Sequence, residues 1–340
     1  MLLAGDVGGT KTLLGLYTQG QGRPVPVEIC RYRTLDFESL VDVVAEFLGK
    51  VNQAGAIEAA CFGVAGPVLD QVARLTNVPW RVEATAVAER FSIPHVRLIN
   101  DLVAMGYSVE ALTENEIEVL QAGEPVASGD GGLIAPGTGF GQALLHRVNG
   151  RFVPSASEGG HADFAARTAR EIELLATLTE QFGRVEYDQV LSGPGLANIH
   201  RFVHGAESCE GVPLDADASK VPALISTAAL KRRCDRCVET LEMFVSALGA
   251  EAGNHGLRSL ATAGVYLGGG IPPKILPALR TAMFLNAFQA KAPMDALVKK
   301  MPIFVILEHH SALLGAAVAA EQMTDSLDGS HCSGVLVNGT

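Results

Sequence analysis

The chain has 340 residues, of which 48% are hydrophobic and 19% charged, and it contains 37 glycines but a single tryptophan. This composition is typical of an α/β protein of about two domains and excludes a disordered or fibrous chain. The net charge of -11 excludes binding to nucleic acid through a basic surface. No apolar stretch reaches the roughly 18 residues of a membrane span, and the N-terminus lacks a secretion signal, so we expect a cytoplasmic protein.

The first hundred residues alternate between predicted strands and helices. A strand, a glycine-rich turn and two further strands come first, in MLLAG, DVGGTKT, LLGLY and VEICRYR. A helix, a buried strand, a second helix and another strand follow, in DFESLVDVVAEFLGKV, IEAACFGVAG, ATAVAERF and VRLIND. Strands that alternate with helices predict an α/β lobe with parallel strand pairing.

The second part of the chain repeats this opening arrangement. GGLIAPGTGFGQALLHRVNGRFV is again strand, glycine-rich turn and strand, which predicts a duplicated architecture with little shared sequence. Longer helical patterns follow at 167–182 and about 223–255, then the strands GVYLGGGI and PIFVIL and the helix ALLGAAVAAEQM. We therefore expect a small lobe of residues 1–111 and 302–325, a large lobe of residues 112–301, and a loose tail at 326–340.

The cysteines indicate an intracellular protein. Cys234 and Cys237 form a CxxC, but the stretch around them has helical spacing and no second CxxC completes a zinc site. We interpret the pair as part of a packed helix and the remaining cysteines as reduced thiols.

The stretch LINDLVAMG places an amide and a carboxylate, Asn100 and Asp101, where a predicted buried strand ends. A carboxylate at such a position costs free energy unless it is paired or hydrogen-bonded. Asp101 is therefore either a cap for the following helix or a group that binds a ligand.

Two glycine-rich turns and one glycine cluster are candidates for binding phosphate or nucleotide. Gly8 and Gly9 can turn their N–H groups toward an anion, and Thr10 and Thr12 add hydroxyl donors. The nearby Asp6 would repel phosphate unless a cation intervened, which indicates Mg²⁺. A tight hairpin turn is the alternative. The second glycine-rich turn is GTGFG at 137–141, and the glycine cluster is GGGI at 268–271. The sequence contains neither a P-loop motif nor a dinucleotide-binding motif.

The segment SEGGHADF at 157–164 brings Glu158 and His161 around two glycines. A carboxylate and an imidazole in a small volume suit a ligand rich in hydroxyl groups. The alternative is a surface loop with a capping glutamate and an exposed histidine.

The order GDVGGT, IND, PGTGFG, EGGH, VLSGPGL and GGGI resembles that of the bacterial ATP-dependent glucokinases of the sugar kinase, Hsp70 and actin superfamily. The resemblance extends from residue 3 to about residue 322. It implies a two-lobed, ribonuclease H-like α/β fold with a cleft between the lobes. It also implies phosphoryl transfer from ATP to the 6-hydroxyl of glucose by a homodimer. The charge and the hydropathy pattern described above separately predict no nucleic-acid or membrane partner.

The same resemblance assigns roles to individual residues. Asp6 would hold Mg²⁺ through water, and Asp101 would be the catalytic base. The residues implied in phosphate binding are Gly8, Gly9, Thr10, Lys11, Thr12, Gly137, Thr138 and Gly139. Those facing the nucleoside are Gly268, Gly269 and Gly270. Those contacting the sugar are Asn100, Asp101, Glu158 and His161.

One position departs from the family pattern. Four residues before the SG of LSGPG the family usually has a glutamate that contacts the sugar, whereas this chain has Asp188, with Glu186 two residues earlier. Asp is one methylene shorter, so the backbone moves inward, water bridges the gap, or Glu186 replaces it; we assign the contact to Asp188. The cysteine-rich zinc motif of the related repressor-type sugar kinases is missing, which favours a zinc-free enzyme.

Several alternatives share part of this pattern. A kinase for another hexose or an N-acylhexosamine would have every motif, and a phosphatase or acetate-type kinase would keep the phosphate turns but not IND with EGGH. A catalytically silent sugar sensor would have no need of Asp101. A chaperone-like ATPase would need a domain for substrate peptides.

Overall fold

The computed structural model describes residues 1–20, 22–51, 55–75, 78–205, 207, 209, 211–213 and 215–328. The chain divides into two compact units, one formed by Met1–Leu112 with the chain from His310 onward, the other by Thr113–His309. Among the described residues, no helix combines the length and apolar character that crossing a membrane requires.

The strands are numbered in chain order. They are β1 (Leu2–Val7), β2 (Lys11–Thr18), β3 (Val25–Arg33), β4 (Ala59–Val64), β5 (Val68–Leu69), β6 (Val72–Arg74), β7 (Arg81–Glu83), β8 (His95–Asn100), β9 (Ile117–Gln121), β10 (Gly131–Pro136), β11 (Phe140–Val148), β12 (Arg151–Ser157), β13 (Gly264–Leu267) and β14 (Ile303–Ile306).

The α-helices are numbered in the same way. They are α1 (Leu40–Lys50), α2 (Ala84–Phe91), α3 (Asp101–Ser108), α4 (Ala169–Phe182), α5 (Gly193–His204), α6 (Val221–Leu230), α7 (Asp235–Ser259), α8 (Leu276–Leu279), α9 (Ala282–Gln289), α10 (Asp295–Val298) and α11 (Ser311–Asp328).

The first unit is built on a five-stranded sheet of order β3-β2-β1-β4-β8. β2 runs antiparallel to both β1 and β3, whereas β1, β4 and β8 are parallel to one another. Apolar side chains of α1, such as Val43 and Phe47, join one buried cluster with the sheet, and those of α3 and α11 join another. Because parallel strands end at the same edge of a sheet, Asp6 of β1 and Asn100 of β8 are brought to that edge.

The second unit repeats this arrangement and adds one strand. Its sheet has the order β12-β11-β10-β13-β14-β9, with β10, β13 and β14 parallel and β11 antiparallel to both neighbours. A glycine-rich turn joins β10 to β11, as another joins β1 to β2. The topology therefore confirms the predicted duplication of architecture.

The helical pattern predicted at about 223–255 is two helices, α6 and α7. The chain breaks between them, where Arg232 adopts φ +50 and Cys234 takes the N-cap position of α7. A left-handed residue cannot continue a right-handed helix, so the predicted single helix is wrong. Cys234 thus lies at a helix start, while Cys237 lies inside α7.

The boundary between the units also differs from the expected residue 302. β14 pairs with β13 and β9, so this strand belongs to the sheet of the second unit, and the first unit resumes at His310. Residues 326–328 of the predicted tail are the end of α11, and residues 329–340 lie outside the described residues.

Candidate active site

Asn100 and Asp101 have different local roles. Asn100 is the N-cap of α3: its Oδ1 accepts hydrogen bonds from the backbone N–H groups of Leu102 at 2.9 Å and Val103 at 3.4 Å. Its Nδ2 donates to the carbonyl oxygen of Gly66 at 3.2 Å. Asp101 is the first residue of the helix, and its Oδ1 accepts from the N–H of Leu102 at 2.9 Å. Because Asn100 already caps the helix, Asp101 is not needed for that purpose.

The surroundings of Asp101 raise the pKa of its carboxyl group toward neutral pH. Burial, together with the like charge of Asp6, raises the pKa of the Asp101 carboxyl from 3.8 to about 6, although nearby backbone N–H groups favour its charged form. Burial also raises the pKa of Asp6, against the positive charges of Lys11 and His310, which lower it. Two carboxylates in one electrostatic environment favour a bound cation or proton.

The first glycine-rich turn is a narrow hairpin. The Gly8 N–H donates to the Lys11 carbonyl oxygen at 3.0 Å, and the Thr34 hydroxyl donates to the carbonyl oxygen of Gly8 at 2.7 Å. Thr12 is fully buried, with its hydroxyl 3.0 Å from that of Thr34. Thr12 therefore supports the turn from within, which argues against the direct phosphate contact expected of it, whereas Thr10 and Lys11 are exposed.

The second turn is fastened by Asp188. Oδ1 of Asp188 accepts a hydrogen bond from the N–H of Phe140 at 2.6 Å and would lie 2.9 Å from a Cβ on Gly139. The Gly137 N–H donates to the carbonyl oxygen of Gly139 at 2.8 Å, and the Gly193 N–H donates to that of Gly137 at 2.9 Å. No residue that the structure describes forms a hydrogen bond with Oδ2 of Asp188, so this oxygen remains available to a ligand.

His161 lies between Glu186 and Glu158. Its Nδ1 is 3.0 Å from Oε1 of Glu186, and its Nε2 is 4.0 Å from Oε2 of Glu158. The second oxygen of Glu186 accepts from Arg184 at 2.6 Å. The hydrogen bond from His161 to Glu186 is the main reason that the pKa of His161 is raised, with the charges of Glu186, Asp188 and Glu158 adding to it. One oxygen of Glu186 thus orients His161 and the other pairs with Arg184, so both are occupied.

A cavity of about 590 Å³ in the second unit is lined mostly by apolar groups, with Gly137, Thr138 and Gly270 on its wall. These members of the second turn and of the glycine cluster therefore line the same cavity. Gly268 is buried, and its N–H donates a hydrogen bond to the carbonyl oxygen of Ile134. Gly269 has a φ of +81, and a Cβ at this position would clash with the carbonyl group of Pro136. Only Gly270 of the cluster lines the cavity.

Most of the cavity wall was not predicted from the sequence. It includes the first turn of α5 from Gly193, one face of α6 with Ser226, and the exposed cation Lys274. The segment SGPG contained the available signal, because Ser192 caps α5 through the N–H of Gly195 at 3.0 Å and the positive end of the helix dipole attracts anions.

Comparisons with known proteins agree with this architecture. The sequence model of the family described as Glucokinase matches residues 3–323. The Glucokinase of Nostoc punctiforme is 37% identical over 340 residues, covering 95% of this chain and 99% of that protein. The Glucokinase of Synechocystis sp. is 37% identical over 346 residues, covering 94% and 98%.

Solved structures give the same result. The crystal structure of a glucokinase from an Antarctic psychrotroph matches with a TM-score of 0.83 at 30% identity, covering 94% of this chain and 98% of that one. A ROK family glucokinase from Streptomyces griseus, in complex with glucose and AMPPNP, has a TM-score of 0.63 at 21% identity over 94% and 99% of the chains, which supports the fold alone. The predicted sugar kinase/actin-like fold and kinase activity are confirmed. The chain belongs to the glucokinase family of ATP-dependent glucose kinases.

Proposed function

We propose that Asp101 is the catalytic base that accepts the proton of the glucose 6-hydroxyl while that oxygen attacks the γ-phosphate of ATP. The observation that carries the proposal is the raised pKa of Asp101, about 6, at a residue that Asn100 relieves of helix capping. A general base is most effective when its pKa lies near the working pH, and such a base contributes about 10² to 10⁴ in rate.

The sugar-binding residues in this proposal are Asn100, Glu158, His161 and Asp188. Carboxylate oxygens accept hydrogen bonds from sugar hydroxyls, and His161 donates or accepts through Nε2 because Nδ1 is held by Glu186. Asp188 rather than Glu186 contacts glucose because Oδ2 is available, whereas both oxygens of Glu186 are occupied. Glu186 therefore positions His161.

Phosphate and nucleoside are assigned to the glycine-rich segments. Gly8, Gly9, Thr10 and Lys11 bind phosphate at the first turn. The second turn, Gly137, Thr138 and Gly139, binds phosphate beside the cavity that would receive the nucleoside. Gly137, Gly193 and Gly270 on the wall of that cavity would let a flat base approach closely, and Lys274 adds positive charge to the lining.

The residues present fit a bound Mg²⁺. Asp6 offers hard oxygen ligands, and its like-charged neighbour Asp101 leaves negative charge that a divalent cation would balance. Asp6 would hold the ion through water. When bound, Mg²⁺ would neutralise negative charge on the phosphates of ATP.

A cytoplasmic homodimer completes the proposal. The free thiols of Cys30, Cys61, Cys209, Cys234 and Cys237 suit a reducing compartment. The charge of -11 supports the absence of a nucleic-acid partner. The homodimer rests on the family resemblance, and light scattering in solution measures it directly.

A coupled assay of ADP release tests the proposed substrate and cofactor. We expect turnover to require both glucose and Mg²⁺, and to be much lower with mannose or N-acetylglucosamine. Equal or faster turnover with N-acetylglucosamine would favour the N-acylhexosamine alternative, and unchanged turnover after magnesium removal would exclude the role of Asp6.

A further inference from the structure

A cluster of soft metal ligands lies in the second unit, apart from the residues assigned to glucose. Four residues each offer one ligand atom, and these four atoms lie within 4.8 Å of one another: they belong to His200, His204, Cys209 and Cys237. His200 and His204 lie at the end of α5, Cys209 follows α5, and Cys237 lies in the first turn of α7. Cys237 is fully buried and Cys209 is 8% exposed. The fold therefore brings together with the CxxC the additional metal ligands that the sequence around it does not contain.

Cys234 extends this cluster. Its Sγ lies 3.5 Å from Nε2 of His204, and the Sγ atoms of Cys209 and Cys237 are 3.4 Å apart. In a tetrahedral zinc site with Zn–S bonds of about 2.3 Å and a Zn–N bond of about 2.1 Å, two sulfurs lie roughly 3.8 Å apart and a sulfur and a nitrogen roughly 3.6 Å apart. The observed sulfur–nitrogen spacing is close to its value in that tetrahedron, and the observed sulfur–sulfur spacing is a few tenths of an ångström shorter. That sulfur–sulfur spacing is too long for a disulfide, whose sulfurs are about 2.05 Å apart.

His204 is oriented as a metal ligand. Its Nδ1 lies 3.1 Å from the carbonyl oxygen of His200, which can only accept, so Nδ1 carries the proton. The lone pair is then on Nε2, which faces the thiol of Cys234. Metal-bound histidines are generally held in this way, with the second ring nitrogen donating to a carbonyl or carboxylate.

His200 is the alternative fourth ligand, and ring geometry disfavours it. The rings of His200 and His204 are stacked, with centroids 3.8 Å apart and planes inclined by 26°. A nitrogen lone pair lies in its own ring plane, so an ion bound in the plane of His204 lies away from that of His200. Cys234 has the advantage of the CxxC spacing and of its position at the start of α7, where a thiolate is stabilised.

We propose that Cys209, Cys234, Cys237 and His204 bind one Zn²⁺ ion, which ties the end of α5 to the start of α7. Three thiolates and an imidazole form a closed ligand set with no open position for a substrate, so the role of the ion is structural. The first turn of α5 lines the cavity proposed for the nucleoside, so the ion would stabilise a helix that the cavity depends on. The expectation of a zinc-free enzyme rested on the absence of the cysteine-rich motif of the repressor-type sugar kinases, and the interpretation of the CxxC as helix packing rested on the absence of a second CxxC in the sequence.

Metal analysis of the full-length protein, purified without chelators, tests the proposal. We expect about one zinc per chain, lost in Cys209→Ser, Cys237→Ser and His204→Gln and retained in Cys30→Ser, whose thiol lies outside the cluster. Strong chelation should lower the melting temperature of the wild type and of Cys30→Ser, with no effect on the three metal-free variants. Less than a tenth of a zinc ion per chain would overturn the proposal.

Two measurements keep the test decisive if a variant fails to fold. Cobalt added to the zinc-free wild type should give a thiolate-to-cobalt charge-transfer band and the intense visible bands of tetrahedral Co²⁺; their absence would overturn the site. Mass analysis should find free thiols, and a Cys209–Cys237 disulfide would also overturn it. Cys234→Ser should lose zinc and His200→Gln should keep it, and the reverse result would overturn the assignment of Cys234.

Discussion

At the scale of single residues, two adjacent side chains at the end of β8 have different roles. Asn100 satisfies the first N–H groups of α3, and this leaves Asp101 under the influence of burial and of Asp6. The same division of labour occurs at His161, where Glu186 orients the ring and Asp188 keeps an oxygen available. The supporting residue and the active residue are adjacent in sequence in the first case and two positions apart in the second.

Asp101→Asn separates the two roles that the sequence allowed for Asp101. The substitution keeps the shape and removes the proton acceptor, so we expect kcat to fall by roughly 10² or more while glucose still binds. A steady-state assay measures kcat, and a thermal melt confirms folding. If the folded variant turned over at nearly the wild-type rate, Asp101 would not be the base.

The raised pKa of Asp101 also predicts a change in stability with pH. Because the folded-state pKa of about 6 is above the unfolded value of 3.8, the folded protein binds this proton more tightly, and the group costs stability as pH rises from about 4 through 6. Asp101→Asn should therefore be more stable than the wild type at pH 7.5, by about 1–3 kcal/mol. The difference should disappear near pH 4. Denaturant titrations at both pH values measure it, and a less stable variant at pH 7.5 would contradict the expectation.

Glu186→Gln and Asp188→Asn should have different effects on glucose binding. Glu186→Gln removes the main cause of the raised pKa of His161, so the pH at which glucose affinity changes should move lower. Asp188→Asn removes a sugar contact and should weaken binding at every pH. Calorimetric titration from pH 5 to 8 measures both, with exposed Glu180→Gln as the matched control. A pH profile of Glu186→Gln identical to that of the wild type would rule out its positioning role.

At the scale of secondary structure elements, the close contact of α3 and α11 depends on a glycine. A Cβ added at Gly315 would clash with the backbone carbonyl group of Ala104, which cannot move as a side chain can. Helical Gly49 in α1 is the contrast, because a Cβ there would meet nothing within 4 Å. One helix therefore needs its glycine for packing, and the other does not.

These two glycines give a matched pair of substitutions. Gly315→Ala should destabilise the protein by about 1–3 kcal/mol through overpacking. Gly49→Ala should stabilise it by about 0.5–1 kcal/mol, since alanine restricts the unfolded chain and favours a helix. Chemical denaturation of both variants measures the changes. Equal effects of the two substitutions would show that α11 does not require the small residue.

Local signals made some elements predictable and others not. The two strand–turn–strand segments were predictable because glycines and alternating apolar residues define them within the chain. The break between α6 and α7 was not, since the sequence KRRC contains no glycine or proline and lysine and arginine favour helices. Arg232 adopts its left-handed conformation there nonetheless.

At the scale of the whole molecule, residues distant in sequence form sites that no sequence motif predicts. Asp6 and Asp101 could be paired in advance, because parallel strands end at the same edge of a sheet. The contact of Asp188 with Phe140 joins residues 48 positions apart, and the cysteine cluster joins Cys209 and Cys237 across 28. Both contacts depend on tertiary packing, which the periodicity of the sequence does not encode.

Glucose binding should stabilise the whole protein without any nucleotide. A ligand that binds only the folded state adds about 2.7 kcal/mol at 100 times its Kd, so the melting temperature should rise with glucose concentration. Asp101→Asn should show this rise, because the base acts in the transition state. Asp188→Asn should need more glucose for the same shift, and Glu180→Gln should match the wild type. Differential scanning fluorimetry over a glucose series measures these shifts, with mannose for comparison. If Asp188→Asn followed the wild-type curve, Asp188 would not contact the sugar, and Glu186 would become the leading candidate.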